Sequence, residues 1–384
     1  MKILYFNTSA FGGLAQYAHF QANALVDAGC EVDFLCPPNY PEYSDSRYNV
    51  LKVLSTKTKR TGASKLSRLR GFFKEITSDI NSLVKYLEEN QTSHVLFGSY
   101  FEYFSPFWVG PLKRIQQNGT VFGSIVHDPI RHTKLGPGWW HRYSVRKAYE
   151  FVNLLFLHQK VTDPQADLPE NLPQFVVPHG PFPTNYAPIE TNLARRKLNL
   201  PEDRKVLLAF GHIRDNKNLD IAIECLVDHP DIHLLVAGQS LNETEKQPEY
   251  YMALAKKLKV NDQISWNVGY IEEDKLNDYF SAADGILLTY SKEFHSASGV
   301  LNLASTFDKP CIASSGPSPL KELVNQYSLG VWVDPDHQAS LCEGMRKFKE
   351  ESLFPDWEGY RMNNSWELNA KITKEAFLSL KKRK

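Results

Sequence analysis

Residues 205–223 read KVLLAFGHIRDNKNLDIAI, and the reading of this stretch decides the fold. Lys205–Phe210 is a short apolar run, the pattern of a strand covered on both faces. Gly211–Asn218 is a polar loop that opens on glycine. From Leu219 to Asp228 the apolar residues recur at 219, 222, 223 and 226, one face of an amphipathic helix. Strand, glycine-led loop and helix, in that order, are the repeating unit of a parallel sheet with helices on both faces.

The unit recurs in both directions. Upstream, Lys2–Phe6 reads as a strand, followed by Gly12-Gly13 and a helix from about Leu14 to Ala28, closed by Gly29. Glu31–Cys36 is the next strand, stopped by Pro37-Pro38. Helical periodicity returns from Ser64 to Glu89, and His94–Phe97, Val121–Val126, Asn153–His158 and Gln174–Val177 are further short strands. Downstream, the strands are His233–Ala237, Ile264–Asn267, Gly285–Leu288, Pro310–Ala313 and Val331–Val333, with helices between them. A last helical run extends from Glu367 to about Lys381. Pro178–Pro188, rich in Pro and Gly, interrupts the periodicity and reads as a domain boundary. The length of 384 residues suits two domains. The expected architecture is therefore α/β, two consecutive Rossmann-like halves. In such sheets ligands bind beyond the carboxyl ends of the strands, and two such edges facing each other make a cleft.

Composition narrows the function classes. Lys+Arg and Asp+Glu both number 44, so no general basic excess points to nucleic acid. The five cysteines, Cys30, Cys36, Cys225, Cys311 and Cys342, are scattered without a C-x-x-C pair. That spacing predicts neither a disulfide framework nor a zinc site, and a cytoplasmic compartment is expected. The N-terminal apolar run is too short for a signal peptide, and no window approaches a transmembrane span.

Five stretches are candidates for chemistry, each with a plainer reading beside it. Gly12-Gly13 lets backbone N–H groups approach a phosphate at a helix start, or forms an ordinary tight turn. Arg214 and Lys217 sit between strand and helix, where both can face one anion; the plain reading is a solvated basic turn. Ser296-Ala297-Ser298-Gly299 opens an apolar helix with small residues that expose N–H groups, with His295 at its mouth; the plain reading is a Ser N-cap. His127 and Asp128 fall where a strand ends, as catalytic groups do, or they are an exposed His and a capping Asp. Lys57–Lys85 carries Arg60, Lys65, Arg68, Arg70 and Lys74 around Leu66, Leu69, Phe72 and Phe73. It reads as a solvated helix face, or as a peripheral contact with an anionic membrane on its inner, cytoplasmic face. Metal binding is not indicated: the one Asp-x-Asp, Asp334-Pro335-Asp336, reads as a turn, and no H-E-x-x-H or His/Cys cluster occurs.

Taken in order and spacing, these stretches resemble the GT-B glycosyltransferases, closest to the family-4, or glycosyl transferases group 1, type. The resemblance runs over nearly the whole chain. It rests on Gly12-Gly13, His127-Asp128 and VVPHG at Val176–Gly180 in the first half. In the second half it rests on FGHIRDNKNLD, LLVAG, GYIEEDKLNDYFSAADGILL, SASGVL, DKPCIAS and VDPDHQASL. It implies a first, acceptor-side domain over residues 1–183 and a nucleotide-sugar-binding domain over 184–360. A C-terminal segment, 361–384, would have its helix returning to the first domain.

The resemblance also implies roles. Gly12 and Gly13 would offer N–H groups to the donor diphosphate, and Arg214 and Lys217 would neutralise it as it leaves. Ser298, Gly299 and Val300 would supply helix-start amides, with Glu293 and His295 beside them. The nucleotide base would pack at Gly269, Tyr270 and Ile271. His127, with Asp128, would face the transferred sugar. The sequence departs from the family at one place. Where two glutamates eight positions apart are usual, it has His295 and Leu303, with Glu293 two positions early. The second carboxylate, the usual partner of the nucleotide ribose, is thus missing.

The implied activity is transfer of a sugar from a nucleoside diphosphate sugar to a hydroxyl on a glycan or glycolipid. It would run without cofactor or metal and with retention of configuration. If the outcome were inversion, His127 would be the general base. A nucleotide-sugar 2-epimerase and a non-catalytic sugar-nucleotide-binding scaffold on the same fold are the competing readings.

Overall fold

The structure is a computed structural model that describes residues 1–56, 65–130, 136–161, 166, 168–181, 188–240 and 245–381. The chain divides into two compact units. Unit 1 comprises Met1–Gly180 and Asn364–Lys384, and unit 2 comprises Pro181–Asn363.

Unit 1 holds seven strands: β1 (Lys2–Asn7), β2 (Glu31–Leu35), β3 (Asn49–Leu51), β4 (His94–Ser99), β5 (Val121–Val126), β6 (Leu154–Leu157) and β7 (Gln174–Val176). They lie in the order β3-β2-β1-β4-β5-β6-β7. Every pair is parallel. The helices are α1 (Gly12–Asp27), α2 (Lys65–Asn90), α3 (Val109–Gln117) and α4 (Gly138–Ala148). β3, α3 and α4 go beyond the elements expected from the sequence.

Unit 2 repeats the plan with β8 (Lys205–Phe210), β9 (Ile232–Gly238), β10 (Ile264–Val268), β11 (Gly285–Thr289), β12 (Cys311–Ser314) and β13 (Gly330–Trp332), all parallel in the order β10-β9-β8-β11-β12-β13. Its helices are α5 (Thr191–Lys197), α6 (Leu219–Cys225), α7 (Pro248–Leu258), α8 (Leu276–Ala282), α9 (Gly299–Thr306), α10 (Pro319–Gln326), α11 (Gln338–Glu350) and α12 (Trp357–Asn363). Alternate residues of one strand feed different cores. Val206 and Leu208 of β8 join one apolar cluster and Leu207 the other, so both faces of the sheet are dry.

Both sheets therefore reverse strand order at one place, between β1 and β4 in unit 1 and between β8 and β11 in unit 2. Loops that follow these strands crowd the carboxyl edge at the switch point, where open α/β sheets take their ligands. Glycine permits the crowding. A side chain at Gly238 would stand 1.8 Å from the Gly211 carbonyl oxygen, and both residues have positive φ, 151° and 90°.

The last helix, α13 (Trp366–Lys381), belongs to unit 1. It is held by a buried amide. Asn369 Nδ2 donates to the Tyr17 hydroxyl at 2.9 Å and to Pro178 O at 2.7 Å, and its Oδ1 accepts from Gln21 Nε2 at 2.7 Å.

One expectation is corrected. Cys225 and Cys342 form a disulfide, with Cα atoms 5.1 Å apart and a sequence separation of 117. The ends of α6 and α11 meet on one face of the second sheet, a proximity that sequence spacing does not express. Cys30, Cys36 and Cys311 are free and buried. Among the described residues, no helix is long and apolar enough to cross a membrane.

Candidate functional site

At the switch point of unit 2 the loop after β8 and the loop after β11 are stitched together. Thr289 Oγ1 donates to Lys217 O at 2.9 Å, and Ser291 N to Asn216 O at 2.8 Å. Asp336 braces both loops, accepting from Asn218 Nδ2 at 2.9 Å and from Lys292 N at 3.0 Å. The Asp334-Pro335-Asp336 turn is thus structural at its second carboxylate.

This bracing holds Lys217 near the start of α9. A side chain built at Gly211 would meet Lys217 Nζ at 3.4 Å and Val300 Cγ2 at 3.9 Å, so the amine and the helix start flank the same glycine. A small pocket there is lined by Phe210, Gly211, His212, Arg214, Lys217 and Thr289. Lys217 Nζ donates to Phe210 O at 2.5 Å. Burial, and then the nearby Arg214 charge, lower its pKa from 10.5 to about 7. Arg214 is exposed and donates from Nη2 to His212 Nδ1 at 3.0 Å. An anion at this place would restore the lysine's charge and meet a second cation.

Ser298 is the N-cap of α9. Its hydroxyl accepts from Leu301 N at 3.2 Å and pairs with the Tyr290 hydroxyl at 2.9 Å, so its side chain has the plain capping role. Gly299 and Val300 form the first turn behind it. Glu293 is exposed in the same loop and His295 half-buried. Leu303 packs against the apolar cluster. Gly269, with φ of 150°, follows β10, and its N–H donates to Gly238 O at 2.8 Å. Tyr270 beside it is 66% exposed, whereas Ile271 packs against the core.

Unit 1 places the remaining candidates at the carboxyl edge of its own sheet. Gly12 and Gly13 are exposed, and nothing lies within 4 Å of where their side chains would be. The N-cap of α1 is Phe11, which makes no side-chain cap. Asp128 is exposed, and its charge favours protonation of His158.

His127 is tied on both ring nitrogens. Nε2 bonds Gly98 O at 3.1 Å, and Nδ1 lies 3.2 Å from Nε2 of His158. His158 Nδ1 in turn reaches Val177 O at 3.2 Å. The two carbonyls can only accept, so the three contacts need three hydrogens, and a neutral pair carries two. Burial, followed by the neighbouring histidines, holds His127 well below the usual imidazole range. Burial lowers His158 to about 4 and His179 to about 3. The Tyr17 ring stands 4.7 Å from His127, 5.3 Å from His158 and 5.1 Å from His179, in edge contact with each.

This group extends the His-Asp pair read from sequence by two histidines. A signal for it was present, because three successive predicted strands each end at or just before a histidine: His127, His158 and His179.

Comparison with known proteins bears on the fold and on the second half of the chain. Residues 190–372 match the family model described as Glycosyl transferases group 1. The matched stretch covers most of unit 2 and the start of α13. Over 172 residues the chain is 27% identical to D-inositol 3-phosphate glycosyltransferase of Mycobacterium bovis, covering 42% of this chain and 35% of that protein. The match thus spans about a third of the relative's length. Among solved structures, sucrose-phosphate synthase from Thermosynechococcus elongatus superposes with a TM-score of 0.71 at 17% identity, over 100% of both chains. HepE from Anabaena, solved with UDP and glucose, superposes with a TM-score of 0.65 at 14% identity, again over 100% of both. At these identities the likeness is one of fold: two doubly wound parallel sheets in one chain, the GT-B type. Arg214, Lys217, Ser298 and Val300 all lie inside the group 1 domain.

Proposed function

We propose that the protein is a glycosyltransferase that moves a sugar from a nucleoside diphosphate sugar to an acceptor hydroxyl, in synthesis of a glycan or glycolipid. The observation that carries this reading is that Lys217 and Arg214 line one pocket at the switch point of unit 2, with Lys217 and Val300 of α9 flanking Gly211. The hard part of glycosyl transfer is charge growing on the departing diphosphate. Two preorganised cations and a helix start oppose that charge without reorganising at the moment of reaction. In this reading Lys217 and Arg214 replace a metal, and no cofactor takes part. HepE's solved complex with UDP and glucose supports a nucleotide-sugar donor for this fold.

The bonding of His127 favours retention of configuration. A general base needs a ring nitrogen facing the acceptor, whereas His127 turns Nε2 to Gly98 O and Nδ1 to the His158 ring, 3.2 Å away. We assign His127 to shaping the sugar side of the site. The acceptor proton passes to the donor phosphate on the same face. Asp128, exposed beside it, is left to meet sugar hydroxyls.

A donor panel tests the reading. UDP-, GDP- and ADP-sugars are screened by thermal shift and then by turnover with a supplied acceptor, and the product's anomeric configuration is read by NMR. Stabilisation by one nucleoside diphosphate with product formation supports the transferase. Binding without turnover against any acceptor would support a non-catalytic donor-binding subunit. Leu303, packed apolar where a ribose-binding Glu is usual, is the observation that favours that second reading.

A further inference from the structure

A chain of aromatic rings reaches the surface of unit 1. Phe72 and Phe73 of α2 start it. Phe72 stands 4.6 Å from Phe101, and Phe73 stands 5.5 Å from Phe104 and 5.6 Å from Phe107. Phe107 then meets Trp140 at 6.2 Å, and Trp140 meets Trp139 at 5.9 Å and Tyr143 at 6.0 Å. The outer members are open to solvent: Phe101 is 39% exposed, Phe107 64%, Trp139 66% and Tyr143 45%. Scattered exposed aromatics are ordinary on a protein surface, but a connected set from three separate segments marks an interaction face.

The exposed charges Arg70, Lys74, Arg142 and Arg146 on this face are basic, and the acids Glu75 and Glu102 beside them are half-buried. Residues 131–147 contain five basic residues, Arg131, Lys134, Arg142, Arg146 and Lys147, and no Asp or Glu. Residues 57–85 contain eight basic residues against Glu75 and Asp79. Of these, Arg70, Lys74, Arg142 and Arg146 are exposed on α2 and α4, while residues 57–64 and 131–135 lie outside the described residues. The whole chain has zero net charge, so this concentration is local.

We propose that this face, built from α2, the 101–107 loop and α4, seats the protein on an anionic lipid bilayer. Trp139, Phe107 and Phe101 would enter the headgroup–acyl boundary and the arginines would pair with lipid phosphates. Exposed Trp and Tyr suit that boundary because each joins an apolar body to a polar edge, and basic residues beside them suit the negative leaflet. A second copy of the chain fits less well, because self-pairing would set Arg142 and Arg146 against their own kind. The basic stretch at Lys57–Lys85 has the charge for membrane contact. The tertiary structure adds the apolar half, and it draws that half mostly from residues outside the stretch. The proposal does not depend on the transferase reading.

Vesicle sedimentation of the full chain tests it. At 150 mM salt the protein should sediment with vesicles of 70% phosphatidylcholine and 30% phosphatidylglycerol, and at least tenfold less with pure phosphatidylcholine. Trp139→Ala with Phe107→Ala should cut partitioning at least tenfold. Arg142→Gln with Arg146→Gln should cut it and weaken its salt dependence. All four positions are exposed, and an unchanged thermal melt and unchanged nucleoside diphosphate affinity would show that the variants are folded. Failure of the wild type to bind anionic vesicles, or binding by the folded aromatic variant equal to wild type, would overturn the proposal. So would a concentration-dependent dimer lost in that variant, which would reassign the face to a second copy. Donor binding measured in parallel keeps this result separate from that of the transferase reading.

Discussion

The half-neutral state of Lys217 makes donor binding depend on pH in a way that can be calculated. In the free protein the pKa of its amine is lowered to about 7, against 10.5 ordinarily, because it loses solvent against the Phe210 carbonyl and is repelled by Arg214. A diphosphate bound against it raises that value again, since the opposite charge favours the ammonium. Binding above pH 7 must therefore recruit a proton. With a pKa near 7, about half of the molecules carry the charge at pH 7 and about 1% at pH 9, so affinity should fall roughly 50-fold over that range. At pH 8 about 0.9 proton should be taken up per diphosphate bound, by the same titration. Titration calorimetry of the nucleoside diphosphate in two buffers of different ionisation enthalpy reads that uptake directly. The ligand's own terminal phosphate, with its second pKa near 6, is already ionised there and adds little. Lys217→Arg stays charged and should flatten the dependence. Lys217→Ala should flatten it too and cut turnover on the order of 100-fold. No proton uptake at pH 8, with wild-type affinity level from pH 7 to 9, would show that the diphosphate does not sit against Lys217.

Other outcomes follow from named contacts. His127→Ala should lower turnover while leaving nucleoside diphosphate affinity within a few-fold, and an inverted product would return His127 to the role of base. His158 and His179 are neutral when folded, with pKa values of about 4 and about 3 against 6.5. The unfolded chain therefore binds more protons below pH 6.5, so stability should fall as pH drops from 6.5 towards 4, and His158→Gln should flatten part of that loss in thermal melts. Asn369→Ala strands the partners of a buried amide and should destabilise unit 1 by about 2–3 kcal/mol in urea unfolding. Non-reducing peptide mapping should find Cys225 linked to Cys342. Cys342→Ser should cost unit 2 about 2–4 kcal/mol, as expected for a long loop closure. Activity unaffected by excess chelator would agree with the cationic pair acting alone, whereas loss restored by magnesium or manganese would place a metal in the mechanism.

The alternation of strand and helix, the glycine turns and the switch from one sheet to the next were legible in the chain itself. They are local properties: the period of apolar residues states which face is buried, and glycine states where backbones must approach. Lys205–Phe210, Val121–Val126 and the long helix of residues 65–90 could be read on that basis. So could the position of Arg214 and Lys217, because a loop between strand and helix has only one edge of a parallel sheet to occupy. The short elements α3, α4 and β3, of nine, eleven and three residues, are too brief for a period to stand out. They exist because neighbours pack on them, and α4, with Trp139 and Tyr143 facing solvent, violates the pattern that would have announced it.

What joins residues distant in sequence was decided by tertiary structure alone. Asn369 reaches Tyr17 across 352 positions, Cys225 reaches Cys342 across 117, and Asp336 reaches Asn218 across 118. No spacing rule encodes these pairs, since each depends on which helix packs beside which. The properties of the functional groups have the same origin. The sequence determined that a lysine stands at residue 217 and a histidine at 127. Loss of solvent against the Phe210 carbonyl makes that lysine half-neutral, and the carbonyl of Gly98 and the ring of His158 flank that histidine. Composition supplies a side chain's chemistry, but its charge and its free valences are set by the dielectric and the partners that only the folded chain assembles.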